Sequence, residues 1–315
     1  MCASPLVLTN CTGRKRADSA AISLSTVAAA DSLPEVAREW FQATESAASK
    51  HRADELYVGR SFNEARHVSR MLAASLWVVS AGLGVVSADE LIPNYDLTVA
   101  NGRNSLVPVL TTFNADPSDW WTALTLQFGA RRTLQSTLGR TGDSLVLLAL
   151  PASYLQLIVK ELEALAPRQL TRLRIFTSSR GRTILPPTVR RAAMPYDERL
   201  ETSGMPGTRT DFPQRALRHF VEELSGHDLD VDAAAGLVSQ AMHRLTKRTV
   251  PHRIRMNDDE IAELLRDNWH RFRGTSSGLL RYLRDEAFIA CEQRRFQGIW
   301  RHVKNQLRGV SDGNG

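Results

Sequence analysis

Several features are scarce in this sequence, and each absence excludes something. No apolar run approaches the roughly 18 residues that a membrane span needs. "LWVVSAGLGVV" (Leu76 to Val86) is too short and too rich in glycine. The start, MCASPLVLTNCTGRKR, has no basic residue ahead of its apolar run, which argues against a secretory signal. Three cysteines (Cys2, Cys11 and Cys291) are too few and too scattered for a disulfide framework or a zinc site, so a reducing cytoplasm is the expected compartment. The eight histidines show neither HxH nor HExxH spacing. The first turn, "TNCTGRKR", lacks GxxxxGK[ST], and its single glycine does not make a GxGxxG fingerprint. We therefore expect neither metal nor cofactor. No internal repeat is found.

The 315 residues suffice for two domains, and 43% hydrophobic with 23% charged residues is ordinary for a globular chain. The net charge of +6 is unevenly placed. Eleven Lys/Arg stand against three acidic residues between Arg131 and Arg191, and ten against four between Arg266 and Arg308. Each cluster alone reads as a solvated surface. Two of them in an otherwise balanced chain point to phosphate backbones and hence to nucleic acid.

Short apolar runs alternate with helical patterns up to about Pro195. Residues 5–9, "WVVSAGLGVV", "DSLVLLALP" and "RLRIFTSS" read as strands, the second ending in a glycine turn. "LPEVAREWFQATES", "RADELYVGRSFNEARHVSRMLAASL", "DWWTALTLQFG" and "YLQLIVKELEALA" read as helices. The alternation predicts an α/β fold with a doubly wound, mainly parallel sheet over residues 1–200. Five helical stretches follow from residue 211 onward, with Asn257 and Ser276 as N-caps, and predict a basic helical domain over 208–309. The Gly/Pro-rich "MPYDERLETSGMPGTRTD" between them reads as a linker. The arginines Arg281, Arg284, Arg294 and Arg295 lie among apolar positions in a helical pair around "EAFIA". That pair reads either as a helix-turn-helix-like unit or as an amphipathic pair with a solvated face.

In an open α/β sheet, ligands bind outside the carboxyl ends of the strands. Three polar turns follow the predicted strands. The first presents Asn10, Cys11, Thr12 and Lys15. The second, "SAGLGVVSADELIPNYD", holds Gly82 and Gly84, whose bare backbone allows close approach of a ligand. It also holds Asp89 and Asp96, carboxylates able to orient water or stabilise a cation, and Tyr95, able to stack on a base. The third offers Ser178, Ser179, Arg180 and Arg182 for phosphate contact. Each turn also has a plain reading as a polar loop or a helix cap.

The succession "NCTGRKR", "ADELYVGRSFNEAR" and "WVVSAGLGVVSADELIPNYDLTV" resembles a bacterial α/β family that pairs a first-strand C-S-x-x-K turn with LY-x-G-x-F and a later SA-x-x-GL…P…YD loop. That family is distantly similar to the uracil-DNA-glycosylase-like domain found with archaeal tRNA-guanine transglycosylases, and within it the chain most resembles phage-defence DNA glycosylases that excise modified cytosines. The match covers Pro5 to Thr98 well and the rest loosely. There is no G-Q-D-P-Y motif after the first strand and no H-P-S-P loop after the last. The resemblance implies a DNA glycosylase of antiviral defence. It would hydrolyse the N-glycosidic bond of a modified base, such as a glucosylated hydroxymethylcytosine, in double-stranded phage DNA and leave an abasic site. On that footing Asp89 is the first choice for the catalytic carboxylate and Asp96 the second. Asn10 and Lys15 would face the leaving base, while Arg180 and the C-terminal arginines hold the backbone. An RNA-modifying or transglycosylase-related enzyme, and a non-catalytic DNA-binding protein, are the rival expectations.

Overall fold

The structure is a computed structural model that describes residues 4–17, 20–26, 30–100, 102, 104–205, 207–247 and 253–311, with side chains as far as 307. The chain forms two compact units, Met1–Arg248 and Thr249–Gly315.

The first unit is built on five strands: β1 (Leu6–Asn10), β2 (Ser75–Ser80), β3 (Gly84–Ser87), β4 (Val146–Ala149) and β5 (Leu173–Phe176). They lie in the order β3-β2-β1-β4-β5. All neighbours are parallel except β2 and β3, which form an antiparallel hairpin. The runs LVLTN and VLLA are buried at every position, as parallel strands covered on both faces require. Helices α1 (Leu33–Glu45) and α3 (Pro117–Phe128) pack together as one pair, and α2 (Arg60–Met71) and α6 (Phe212–Glu222) as another. The short α4 (Ala152–Leu157) and α5 (Ser179–Ile184) follow the tips of β4 and β5. The outer margin of β5 is occupied: Ile175 N–H donates to Ala192 O at 2.8 Å, and Met194 N–H donates to Ile175 O at 2.9 Å. β1 runs out leftward to β2 and β3, and the chain returns to β4 and β5 on the other side. The strand order therefore reverses between β1 and β4, which is the topological switch point of a doubly wound sheet.

Three expectations are corrected. "WVVSAGLGVV" does not end at its glycine turn: the buried turn Ala81–Gly82–Leu83 reverses the chain, and Gly84–Ser87 returns antiparallel as β3. The stretch from Arg52 to Leu76 is not one helix. Ala53–Leu56 makes a single turn, Gly59 takes φ +135°, and α2 starts only after it. The domain boundary also lies later than residues 200–208. Helix α6 packs against α2 and β4, and buries Phe212, Ala216 and Phe220 in the first unit's core. Residues 194–205 and 207–211 lie as a strap on that unit rather than as a free linker. The buried guanidinium of Arg215 binds Asp211 (2.8 Å), Glu201 (2.7 Å), Met205 O (3.0 Å) and Thr208 O (3.0 Å), which fastens the strap. Helix α7 (Val231–His243) completes the unit.

The second unit contains α8 (Asp258–Asp267), α9 (Ser276–Arg281) and α10 (Gln293–Ser311) around Ile261, Leu265, Leu279, Leu283, Phe296 and Val303. Asn257 caps α8: its Oδ1 accepts from Glu260 N–H at 2.9 Å, and Glu260 Oε2 accepts from Asn257 N–H at 2.7 Å. Ser276 is the first residue of α9, with Thr275 at the cap position. Between α9 and α10 the chain makes a π turn over Tyr282–Glu286, passes Phe288 at φ +52° and bridges Ile289 to Ile254. The expected pair around "EAFIA" is thus two helices of this unit joined by an elaborated connection.

The boundary is directly testable. A chain ending at residue 208 leaves the sheet without α6 and exposes its core, so it should lack a cooperative unfolding transition by circular dichroism. A chain ending at residue 248 should retain one.

Candidate functional site

The carboxyl edge of the parallel strands carries a buried polar cluster. Burying polar groups is costly unless they are hydrogen-bonded, so such a cluster needs a reason. Tyr57 and Tyr95 hydroxyls lie 2.8 Å apart, and Tyr95 Oη is 2.6 Å from Ser80 Oγ at the tip of β2. Ser80 Oγ accepts from Gly82 N–H (3.2 Å) and Leu83 N–H (3.0 Å), so it donates its own proton to Tyr95. Just beyond β1, Cys11 Sγ is 2.9 Å from the Tyr154 hydroxyl. Lys15 bridges to Tyr57 in the first turn and places its Nζ 4.1 Å from the centre of the Tyr95 ring.

Burial sets the protonation of this cluster. It pushes the Tyr57, Tyr95 and Tyr154 phenols well above their usual range, and the neighbouring Cys11 adds to the effect. Burial also lowers Lys15, against the opposing pull of Cys11 and Asp96. An amine with a lowered pKa amid neutral hydroxyls, lining a cleft, is a candidate functional group.

Beside the cluster lies a cleft of about 780 Å³, within the range of small-molecule sites in general. Arg14, Lys15 and Arg16 from the first turn line it, with Arg60, Asn63, Glu64 and His67 from α2 and Arg218 from α6. Arg14 and Arg16 are exposed. Arg218 bonds Glu64 (3.1 Å) and Glu222 (2.6 Å), and His67 contacts Glu222. Lys15 belongs to both the cluster and the cleft.

The residues expected from sequence fare differently. Asp89 is corrected. β3 runs antiparallel, so it carries the chain back to the amino end of β2, where Ser87 faces Trp77 and Ala88 N–H bonds Leu76 O. Asp89 stands at that opposite edge, exposed, its carboxyl held low by the Ser87 hydroxyl. Asp96 is half-buried, accepts from Asn104 Nδ2 at 2.5 Å and acts electrostatically on Lys15. Asn10 does not face a ligand, because it is buried, donating to Cys11 O (2.8 Å) and accepting from Gln214 (2.9 Å). Cys11 is buried against Tyr154. The Thr12 hydroxyl is engaged by the carbonyls of Arg14 (2.8 Å) and Val58 (3.0 Å). Tyr95 is fully buried and its ring face holds Lys15, so it has no face open for a base.

The glycines serve packing, not a ligand. A Cβ on Gly82 would meet Trp40 at 2.9 Å and Tyr95 at 3.1 Å. A Cβ on Gly84, which sits at φ +72°, would meet the Arg132 backbone oxygen at 2.7 Å. The hairpin turn is held by the Trp40 indole donating to Gly82 O (2.6 Å) and the Trp120 indole donating to Ala81 O (2.8 Å).

At the tip of β5, Ser178 caps α5 by accepting from Gly181 N–H at 3.3 Å, and Ser179 donates to Glu198 at 3.3 Å. Arg180 is exposed and Arg182 half-buried. This turn shares the carboxyl edge with Lys15 but follows the strand two positions from β1, about 10 Å away by strand spacing.

In the second unit Arg253, Arg255, Arg284 and Arg295 line a cleft of about 610 Å³ beside Cys291. Arg284 donates to Cys291 O (3.0 Å), and Arg295 donates to Asp258 (2.6 Å) and Met256 O (2.8 Å). Arg281 and Arg294 are exposed. Sequence reasoning missed Tyr57, Ser80 and Tyr154. "ELYVG" was the one local signal for Tyr57, and the contacts of Tyr154 span 143 residues. Comparison with protein-family models, with curated proteins and with solved structures returned no match.

Two outcomes follow. Gly84→Ala should lower the unfolding free energy by about 1–3 kcal/mol, through overpacking at a positive φ. Gly13→Ala, with nothing within 4 Å of its added carbon, should stay within about 0.5 kcal/mol of the parent in urea unfolding. The phenols give a pH signature. Tyr57, Tyr95 and Tyr154 stay protonated in the fold above their ordinary value of 10.0, whereas the unfolded chain loses those protons there. Stability should therefore be intact below pH 10 and fall as pH rises past it, with phenolate absorbance for these three appearing only as the fold opens.

Proposed function

We propose that this chain is a DNA glycosylase with a uracil-DNA-glycosylase-like first unit, hydrolysing an N-glycosidic bond at the carboxyl edge of the sheet. The observation that carries the reading is the joining, at half-buried Lys15, of a basic cleft to a buried cluster of hydroxyls. Five basic side chains and one carboxylate line that cleft, which suits a phosphate-bearing chain. The cluster behind it excludes water and offers neutral donors, which suits bond cleavage at a sugar.

In this reading the target nucleotide leaves the stack to reach the edge. Arg14 and Arg16 hold its flanking phosphates. Departure of the base builds cationic character on the deoxyribose, and a carboxylate stabilises that charge and orients the attacking water. Asp96 takes this role: it stands on the Lys15 side of the sheet, whereas Asp89 does not. Lys15 faces the departing base or the sugar. The arginine-lined cleft of the second unit, with exposed Arg281 and Arg294, binds backbone phosphate. A base-modified cytosine in phage DNA is the substrate that the family resemblance implies.

Release of free base from plain and base-modified phage DNA, followed by mass spectrometry, tests the activity. Asp96→Asn should slow single-turnover base release by about 10² to 10⁴ while DNA binding persists. Asp89→Asn should release base at the parental rate. Equal rates for Asp96→Asn and the parent would remove Asp96 from the chemistry. No base released from any DNA would remove the glycosylase itself.

A further inference from the structure

Lys15 is the odd residue in its own turn. The chain carries 40 Lys and Arg, of which only Lys15, Lys50, Lys160, Lys247 and Lys304 are lysine. Its neighbours on both sides, Arg14 and Arg16, are arginine. The other lysines lie elsewhere in plainer settings: Lys50 is exposed, Lys160 pairs with Asp119 (2.7 Å), Lys247 with Glu198 (3.9 Å), and Lys304 lies over Trp300. Lys15 alone is packed among tyrosines, its Nζ 4.1 Å from the Tyr95 ring centre and 5.9 Å from that of Tyr57, and it lines the cleft.

Guanidinium and ammonium differ in one respect that matters here: only the amine can give up its proton in a protein and act as a nucleophile. Burial lowers the proton affinity of Lys15, which favours that form. A cation kept solely for phosphate contact gains nothing from such a setting.

We propose that Lys15 is a nucleophile that forms an imine with the C1′ aldehyde of an abasic deoxyribose, giving the protein a strand-cleaving lyase activity; this rests on the glycosylase reading for the source of the abasic sugar. Nζ adds to C1′ of the ring-opened sugar, a C–N bond forms, and the carbonyl oxygen departs as water. The iminium acidifies C2′–H, and Asp96, the carboxylate acting on Lys15, takes that proton. The C2′–H electron pair becomes the C2′–C3′ double bond, the C3′–O bond breaks, and the 3′ phosphate leaves on the downstream strand. Water then hydrolyses the imine, releasing an unsaturated aldehyde and restoring the amine. No step needs an oxidant or reductant.

The test uses the full chain and an oligonucleotide bearing one preformed abasic site, so it does not depend on base recognition. Sodium borohydride reduces any imine to a stable amine. The expected result is a covalent protein–DNA adduct whose tryptic peptide carries the sugar on Lys15, and loss of that adduct in Lys15→Arg with abasic DNA still bound. Peptide mapping of the parent protein keeps the test decisive even if the variant fails to fold. No adduct, or an adduct mapped to the amino terminus or to another lysine, overturns the proposal. An adduct on Lys15 without base release from any DNA upholds the nucleophile and removes the glycosylase reading. Base release without an adduct does the reverse.

Discussion

The first unit depends on one carboxamide. At the switch point the last residues of β1 and β4 gather two side-chain oxygens and a carbonyl at one buried spot. Gln214 reaches up from α6 and donates toward Thr9 Oγ1 (3.0 Å), Asn10 Oδ1 (2.9 Å) and Ala149 O (2.9 Å). Leaving any of these buried groups unpaired costs about 1–3 kcal/mol. The same contact fixes α6 against the sheet, which fixes the strap that Arg215 fastens and the position of Arg218 in the cleft.

That plug also decides where a site can be. In doubly wound sheets the crevice at the switch point is the usual ligand seat. Here Gln214 fills it from α6, while Tyr154 closes over Cys11 beside it. The open ground is displaced one strand over, to the tips of β1 and β2, where the first turn pairs with residues 56–58. Arg16 N–H bonds Leu56 O at 2.9 Å, and Val58 N–H bonds Arg14 O at 3.1 Å, so the basic turn is held as firmly as a strand. A turn that stiff can present Lys15 at a fixed place, which chemistry at a bound sugar would require.

The parallel core was legible because each strand is a short, continuous apolar run that only a doubly covered sheet accommodates. At Leu76 to Val86 the glycine turn was legible but the strand after it was not, because four residues following a turn read as loop until their pairing with β2 is seen. Missing one reversal of direction carried Asp89 to the carboxyl edge although it stands at the other, whereas Asp96, farther along, lies near Lys15. The boundary near residue 208 failed for another reason. Glycine and proline mark irregular backbone, not freedom, and the strap is irregular yet fastened by buried Arg215. Lys15 was legible as part of a basic tip. Its tyrosine surroundings were not, since Tyr57, Tyr95 and Tyr154 meet only through the fold.

The margin of β5 has a consequence of its own. An open strand edge is a template onto which another chain can add a strand, in recognition or in aggregation. The carbonyl and amide of Ile175 are already satisfied by the chain's own residues 192 and 194. At Ile175 the sheet has no backbone group left for a visiting polypeptide. Partners on that side are left with side chains and loop surfaces, a mode of association set by shape and charge rather than by backbone pairing.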